Sequence, residues 1–171
     1  MASTCCWYET RIPEPLMKNI IEDLDSVNEN IFIKSEVNPN KPNLQNNIRK
    51  SQHCWIPSSY WIGGFLWHYI MNANKDNFLY DISHIEQDMI QYTQYNKGDF
   101  YGWHTDMDIC DINEPDQLVR KLSFTLQLTN HDEYTGGDLE FADFDDSTQR
   151  FTVPKSRGTV IVFDSRTPHR V

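Results

Sequence analysis

The chain is short of positive charge. Fifteen lysines and arginines stand against 25 aspartates and glutamates, a formal net charge of -10 with a pI near 4.9. Such a surface repels phosphate backbones and anionic headgroups, and no Lys/Arg run offers a local exception. General binding to nucleic acid or anionic membrane surfaces is therefore disfavoured. Long apolar runs are also missing, and no stretch suits a bilayer span. Residues 1–10 have neither a basic start nor an apolar run, so we read no signal peptide and expect a cytoplasmic location. The four cysteines, Cys5, Cys6, Cys54 and Cys110, match no zinc spacing. The adjacent pair Cys5-Cys6 makes a poor start for a disulfide framework, so reduced thiols are expected. There are no internal repeats and no low-complexity blocks. What remains is 171 residues with 39% hydrophobic and 13% aromatic content, enough for one domain, 1–171, with a real core.

Hydrophobic periodicity divides the chain. Residues 7–11 alternate weakly and suit a short strand. Pro13 and Pro15 open a helix over 15–27, with Leu16, Ile20, Ile21 and Leu24 at helical spacing. Residues 31–37 read as a strand, and the Asn/Pro-rich stretch 38–47 as a surface loop. Ser58 or Ser59 is placed to cap a second helix running to about Asn74. Its expected buried stripe is Trp61, Ile62, Phe65, Leu66, Tyr69 and Ile70. From about Phe78 the pattern changes to strands, at 88–95, 100–106, 122–129, 138–141, 150–153 and 159–163. Asn96-Lys97-Gly98-Asp99 marks one turn. In 122–129, Leu122, Phe124, Leu126 and Leu128 alternate with Ser123, Thr125, Gln127 and Thr129. Two helices followed by many short strands predict an α+β chain, mainly β. Helices and flanking strands fill 1–87, and a β core fills 88–171. A double-sheet jelly roll of the cupin type suits that core.

The chemistry concentrates at His104-Thr105-Asp106. On a strand, residues i and i+2 share a face, so His104 and Asp106 project together, as two ligands of one ion must. A third candidate, His169, follows the apolar strand 159–163 and Pro168. Two imidazoles and one carboxylate make the facial triad that leaves open positions on Fe(II). Asp108 continues the face of Asp106 toward the loop and is the weaker carboxylate. His131 falls in a polar loop. His53, His68 and His84 fall outside the strand core. None of these four is expected to bind metal.

The ordered set of motifs is more specific than any piece. It comprises His104-x-Asp106, then Tyr134-x-Gly136-Gly137-x-Leu139-x-Phe141, then Gly158-x-Val160-x-Val162-Phe163, and finally Pro168-His169. With it, the chain resembles the 2-oxoglutarate- and Fe(II)-dependent dioxygenases of the prolyl 4-hydroxylase type, including PKHD-type hydroxylases. The resemblance is clearest over 90–171. It extends more weakly to Ile12-Pro13-Glu14-Pro15 and to Ile48-Arg49-Lys50-Ser51.

The resemblance implies a double-stranded β-helix core with N-terminal helices packed on one sheet. It implies Fe(II) on His104, Asp106 and His169, 2-oxoglutarate and O₂ as cosubstrates, and ascorbate as an accessory reductant. It places Tyr95, nine positions before His104, where relatives bind 2-oxoglutarate through a Tyr hydroxyl. It places Gln127 where relatives put a Tyr against the distal carboxylate. Tyr101 and Trp103 flank the ligand strand, where they line the substrate mouth or simply pack. The implied reaction is hydroxylation of a peptide, a protein or a small molecule, a prolyl residue leading, with release of succinate and CO₂.

One departure stands out. Relatives anchor the distal carboxylate with an Arg or Lys on a last strand beyond the distal His, whereas this chain stops two residues after His169. Either the sequence is a fragment lacking that strand, or another basic residue substitutes. Arg170 is too close to His169 to serve. A degenerate jelly-roll module that binds metal or a partner without turnover is the competing class. A nucleic-acid repair oxygenase would need a basic groove that a net charge of -10 does not suggest. A cupin without 2-oxoglutarate would need more histidines near His104. The sequence sets no oligomeric state.

Overall fold

The apolar run at the end of the chain is the spine of the fold. Strand β10, Thr159–Asp164, is buried over its first five residues. Alternation divides its side chains between two clusters. Val160 and Val162 join the larger one, with the helices, while Ile161 and Phe163 join Phe141 and Val153 in a smaller one. A strand covered on both faces reads as a continuous apolar run rather than an alternating one, which is what the sequence displays.

The computed structural model describes residues 6–28, 32–35, 48–107, 119–143 and 146–171. In chain order the elements before the turn at 58–60 are β1 (Trp7–Arg11), α1 (Glu14–Asn28), β2 (Ile33–Lys34), β3 (Arg49–Lys50) and β4 (Gln52–Pro57). Helix α2 (Trp61–Ala73) follows, with a π turn (Asn74–Phe78) and a 3₁₀ turn (Glu86–Asp88). The remaining strands are β5 (Met89–Gln94), β6 (Phe100–Tyr101), β7 (Leu122–Leu126), β8 (Glu140–Ala142), β9 (Arg150–Thr152), β10 and β11 (His169–Arg170). Among the described residues the protein is mainly β with two α-helices, as expected of an α+β chain.

Antiparallel pairing orders one sheet β1-β10-β7, a second β11-β8-β9 and a third β2-β4-β5. The β3-β6 pair joins the second sheet. Tyr101 and Val171 exchange backbone hydrogen bonds of 2.8 and 2.9 Å, and His104 and His169 exchange two more of 3.0 and 2.9 Å. The two helices pack on the β10 face that carries Val160 and Val162. Gly158 enters β10 at φ +86, and an added Cβ would sit 2.6 Å from the Ile12 carbonyl oxygen. Only glycine lets this turn approach the start of α1 so closely.

Several local expectations shift. In α1 the buried face is Met17, Ile20 and Leu24, while Leu16 is 42% exposed, so the stripe is rotated from the expected one. Helix α2 begins at Trp61 after Tyr60, with no side-chain cap from Ser58 or Ser59. The Ser58 carbonyl instead crowds Gly63, where an added Cβ would lie only 2.1 Å from its oxygen. Trp61 is exposed, and the buried residues are Ile62, Gly63, Leu66, Ile70 and Ala73. Strands β3 and β4 occupy 49–57, where no strand was expected, so His53 lies on a strand. Within the expected strand 31–37, only Ile33–Lys34 is a described strand. The loop 38–47 and Asp108 lie outside the described residues, as do Cys5 and Cys110. Cys6 and Cys54 are free thiols. Among the described residues, no helix is long and apolar enough to cross a membrane.

Candidate metal centre

Three elements deliver the ligand set. β6 and the bridge after it bring in His104, the bend that follows brings in Asp106, and β11 brings in His169. Their ligand atoms all lie within 4.8 Å of one another. Nε2 of His104 is 3.6 Å from one carboxylate oxygen of Asp106, and Nε2 of His169 is 3.7 Å from the other. The strand expected over 100–106 is shorter than that, ending at Tyr101. Asp106 is therefore aimed by a tertiary contact rather than by strand alternation. The Ser165 carbonyl accepts hydrogen bonds from the Asp106 and Met107 amides at 2.9 and 3.1 Å.

Both imidazoles are turned the same way. Nδ1 of His104 donates to the Gly102 carbonyl at 2.8 Å, and Nδ1 of His169 to the Thr167 carbonyl at 2.9 Å. A carbonyl only accepts, so Nδ1 of each ring carries a proton and Nε2 is the nitrogen turned toward Asp106. Rings hold the orientation: Tyr101 stacks on His104 at 3.5 Å between centroids, and Phe163 meets His169 edge-on at 4.9 Å. Burial lowers the pKa of His169, which keeps the imidazole neutral. Burial opposes ionisation of Asp106, but His104, His169, the Ser123 hydroxyl and Arg120 outweigh it. The carboxyl is held well below its ordinary range. Two imidazole nitrogens and one ionised carboxylate make a 2-His-1-carboxylate donor set, so these residues fit Fe(II).

A supporting layer surrounds Asp106. Ser123 donates to it at 2.6 Å and shares a 2.9 Å hydroxyl contact with Ser165, which is fully buried. Arg120 reaches the other oxygen at 3.5 Å and also pairs with Glu86. We expect Ser123→Ala to weaken metal affinity about 10–100-fold, the usual effect of losing such an outer partner. A competition titration with a chelator measures this, and an unchanged affinity would mean that Ser123 does not orient the ligand.

A cleft of about 1670 Å³ opens on the triad, lined by β5, β7 and the residues after them. Tyr95, Gln127 and Tyr101 all line it. Burial raises the pKa of Tyr95, with the positive charge of Arg49 acting against that rise. Its hydroxyl therefore stays a donor. Gln127 donates to Tyr134 at 2.9 Å and to the Thr129 carbonyl at 3.1 Å. Trp103 lies elsewhere, beside the guanidiniums of Arg150 and Arg170 at 4.3 and 4.9 Å. Arg170 pairs with Glu140 at 2.6 Å. Ser123, Ser165 and Arg120 were not identified from the sequence. The alternation of 122–129, which puts Ser123 opposite the leucines, was the available signal.

Residues 90–171 match the family described as the 2OG-Fe(II) oxygenase superfamily. A PKHD-type hydroxylase of Stenotrophomonas maltophilia (strain R551-3) is 32% identical over 81 residues, covering 47% of this chain and 35% of that protein. Another, from Synechococcus sp. (strain CC9605), is 35% identical over 74 residues, covering 43% and 30%. The chain thus spans about a third of the length of these relatives. A crystal structure of a Pseudomonas putida prolyl-4-hydroxylase has a TM-score of 0.69 at 19% identity, covering 98% of this chain and 86% of that one. A Trichoplax adhaerens prolyl hydroxylase, solved with a hypoxia inducible factor peptide fragment, has a TM-score of 0.68 at 14% identity. It covers 98% of this chain and 77% of that one. These two likenesses are of fold.

Proposed function

We propose that this chain, a member of the 2OG-Fe(II) oxygenase superfamily over residues 90–171, is an Fe(II)- and 2-oxoglutarate-dependent hydroxylase whose metal is held by His104, Asp106 and His169. The observation that carries this is the convergence of two imidazole Nε2 atoms and one ionised carboxylate, each side chain fixed by its own outer partner. Its core is a double-stranded β-helix, built from the sheet around β10 and the sheet around β8. When bound there, Fe(II) supplies oxidative decarboxylation of 2-oxoglutarate by O₂ coupled to hydroxylation of a substrate C–H bond, releasing succinate and CO₂.

The chain's own groups bind, orient and exclude water. Tyr95 stays protonated and donates its hydroxyl to the cosubstrate, and Gln127 offers an amide farther along the cleft. Tyr101 lies flat on His104 and shields one ligand from solvent. No side chain acts as a nucleophile. A prolyl residue of a peptide or protein is the substrate this reading favours. The peptide held by the Trichoplax prolyl hydroxylase supports it, as does an acidic surface that suits a basic partner.

The test is an anaerobic titration of the metal-free protein with Fe(II) and then 2-oxoglutarate. We expect a visible metal-to-ligand charge-transfer band that needs both additions and is lost in His169→Ala. Iron binding without the band in the native protein would overturn the reading.

A further inference from the structure

The turn that follows β10, residues 164–168, orients two of the three candidate ligands. Its Ser165 carbonyl accepts the Asp106 amide at 2.9 Å, and its Thr167 carbonyl accepts Nδ1 of His169 at 2.9 Å. One tie holds this turn to the segment entering β7. The Ser165 amide donates to the Lys121 carbonyl at 3.0 Å, and the Ser165 hydroxyl meets that of Ser123. A second tie runs to the helical half of the chain.

That second tie is Tyr80. Its hydroxyl donates to the Asp164 carboxylate and accepts from Nη2 of Arg166 at 2.8 Å. Asp164 also receives the Arg166 fork, Nε at 2.9 Å and Nη2 at 2.6 Å, and the Arg166 amide at 2.8 Å. The Thr167 amide closes the turn on the Asp164 carbonyl at 2.9 Å. Arg166 is exposed, and an exposed ion pair holds its geometry weakly. The Tyr80 hydroxyl bridges both members of the pair and fixes it, through bonds strengthened by charge.

Tyr80 is itself held in place. Asn74, the buried first residue of the π turn, donates Nδ2 to the Tyr80 carbonyl at 2.8 Å and accepts the Tyr80 amide at 2.9 Å. Burial raises the Tyr80 pKa, so the hydroxyl keeps the proton it donates. A metal site demands this rigidity, because its ligands must stay within about 0.5 Å of their working positions.

We propose that Tyr80 is a positioning residue of the candidate metal centre, its hydroxyl fixing the Asp164–Arg166 pair and so the turn whose Ser165 and Thr167 carbonyls orient Asp106 and His169. The proposal rests on the reading of the triad as the metal site. Tyr80 lies before residues 90–171, the part that matches the family. It makes the segment after α2 a support of the site.

The experiment uses the full chain, metal-free, titrated with Co(II) against a competing chelator. The visible d–d bands of bound Co(II) report ligand geometry independently of turnover. Tyr80→Phe removes only the hydroxyl, and Asp164→Ala removes its acceptor. Ile20→Val trims a fully buried residue of α1 and controls for lost stability, which thermal unfolding measures in every variant.

We expect Tyr80→Phe to weaken Co(II) binding about 10-fold, the low end of what losing a direct outer partner of a ligand costs, and to shift the d–d bands. Ile20→Val should lower the unfolding temperature and move neither. Tyr80→Phe combined with Asp164→Ala should lose less affinity than the product of the two single losses, because both act through one pair. Unchanged affinity and bands in Tyr80→Phe, losses that multiply in the double variant, or an equal affinity loss in Ile20→Val would overturn the proposal and leave the triad standing. A native protein that binds no Co(II) would overturn the triad reading and this proposal with it.

Discussion

Asp106→Ala is expected to lower succinate formation from 2-oxoglutarate by at least about 100-fold. Losing an outer partner of a metal ligand typically costs 10–100-fold, and removing a ligand outright exceeds that. The substitution does more than delete one donor. It strips the acceptor from Ser123 and from Arg120, and it removes the charge that faces both imidazoles at 3.6 and 3.7 Å. His104→Ala should match it, because either change leaves two donors where three converged. Succinate release in the absence of prime substrate, with metal content measured alongside, checks both variants. Turnover within a few-fold of native would sink the triad assignment. Failure of the native protein itself to make succinate would favour a jelly-roll module without turnover.

Phe163→Ala is expected to lower the unfolding free energy by about 3–5 kcal/mol, the range for emptying a large aromatic from a well-packed core. Phe163 is 1% exposed, sits 4.8 Å from Phe141 between centroids, and pairs across the sheet with Trp7. A domain of this size has only about 5–15 kcal/mol in total, so the loss is a large share. It also reaches the candidate metal centre, because the Phe163 ring packs edge-on against His169. Denaturant unfolding of the metal-free protein gives the stability change, and a metal titration of the same variant gives the orientation effect. A stability loss under about 1 kcal/mol would mean the site collapses without a cavity, contrary to this packing.

Local order carries much of what was legible. His104 and Asp106 are close in sequence, and His169 follows an apolar run that could only be buried, so the ligand set was visible as a pattern of neighbours. β1 appears where weak alternation put it, and β5, β7 and β10 appear near their expected bounds because period-2 alternation or continuous apolarity survives in each. β3 and β4 were missed for a physical reason. Residues 52–57 bury His53, Cys54 and Ile56 around an exposed Trp55, a pattern that neither alternates cleanly nor runs apolar. Their strand character comes from pairing with β5, in which Cys54 opposes Tyr92. The capping of α2 was misjudged too: Tyr60, not a serine, stands at its N-cap, and the Gly63 amide donates to the Tyr60 carbonyl.

By itself, then, the sequence determined the α+β class, the buried spine at 159–163 and the identity of the three candidate ligands, because each is written in spacing along the chain. The tertiary structure alone decided that Ser165 aims Asp106, that the Gly102 and Thr167 carbonyls turn both Nε2 atoms inward, and that the Arg49 guanidinium lies over the Tyr101 ring. Hydrogen bonds and charges between residues far apart in the chain leave no period to read. Their partners are chosen only when the sheets close.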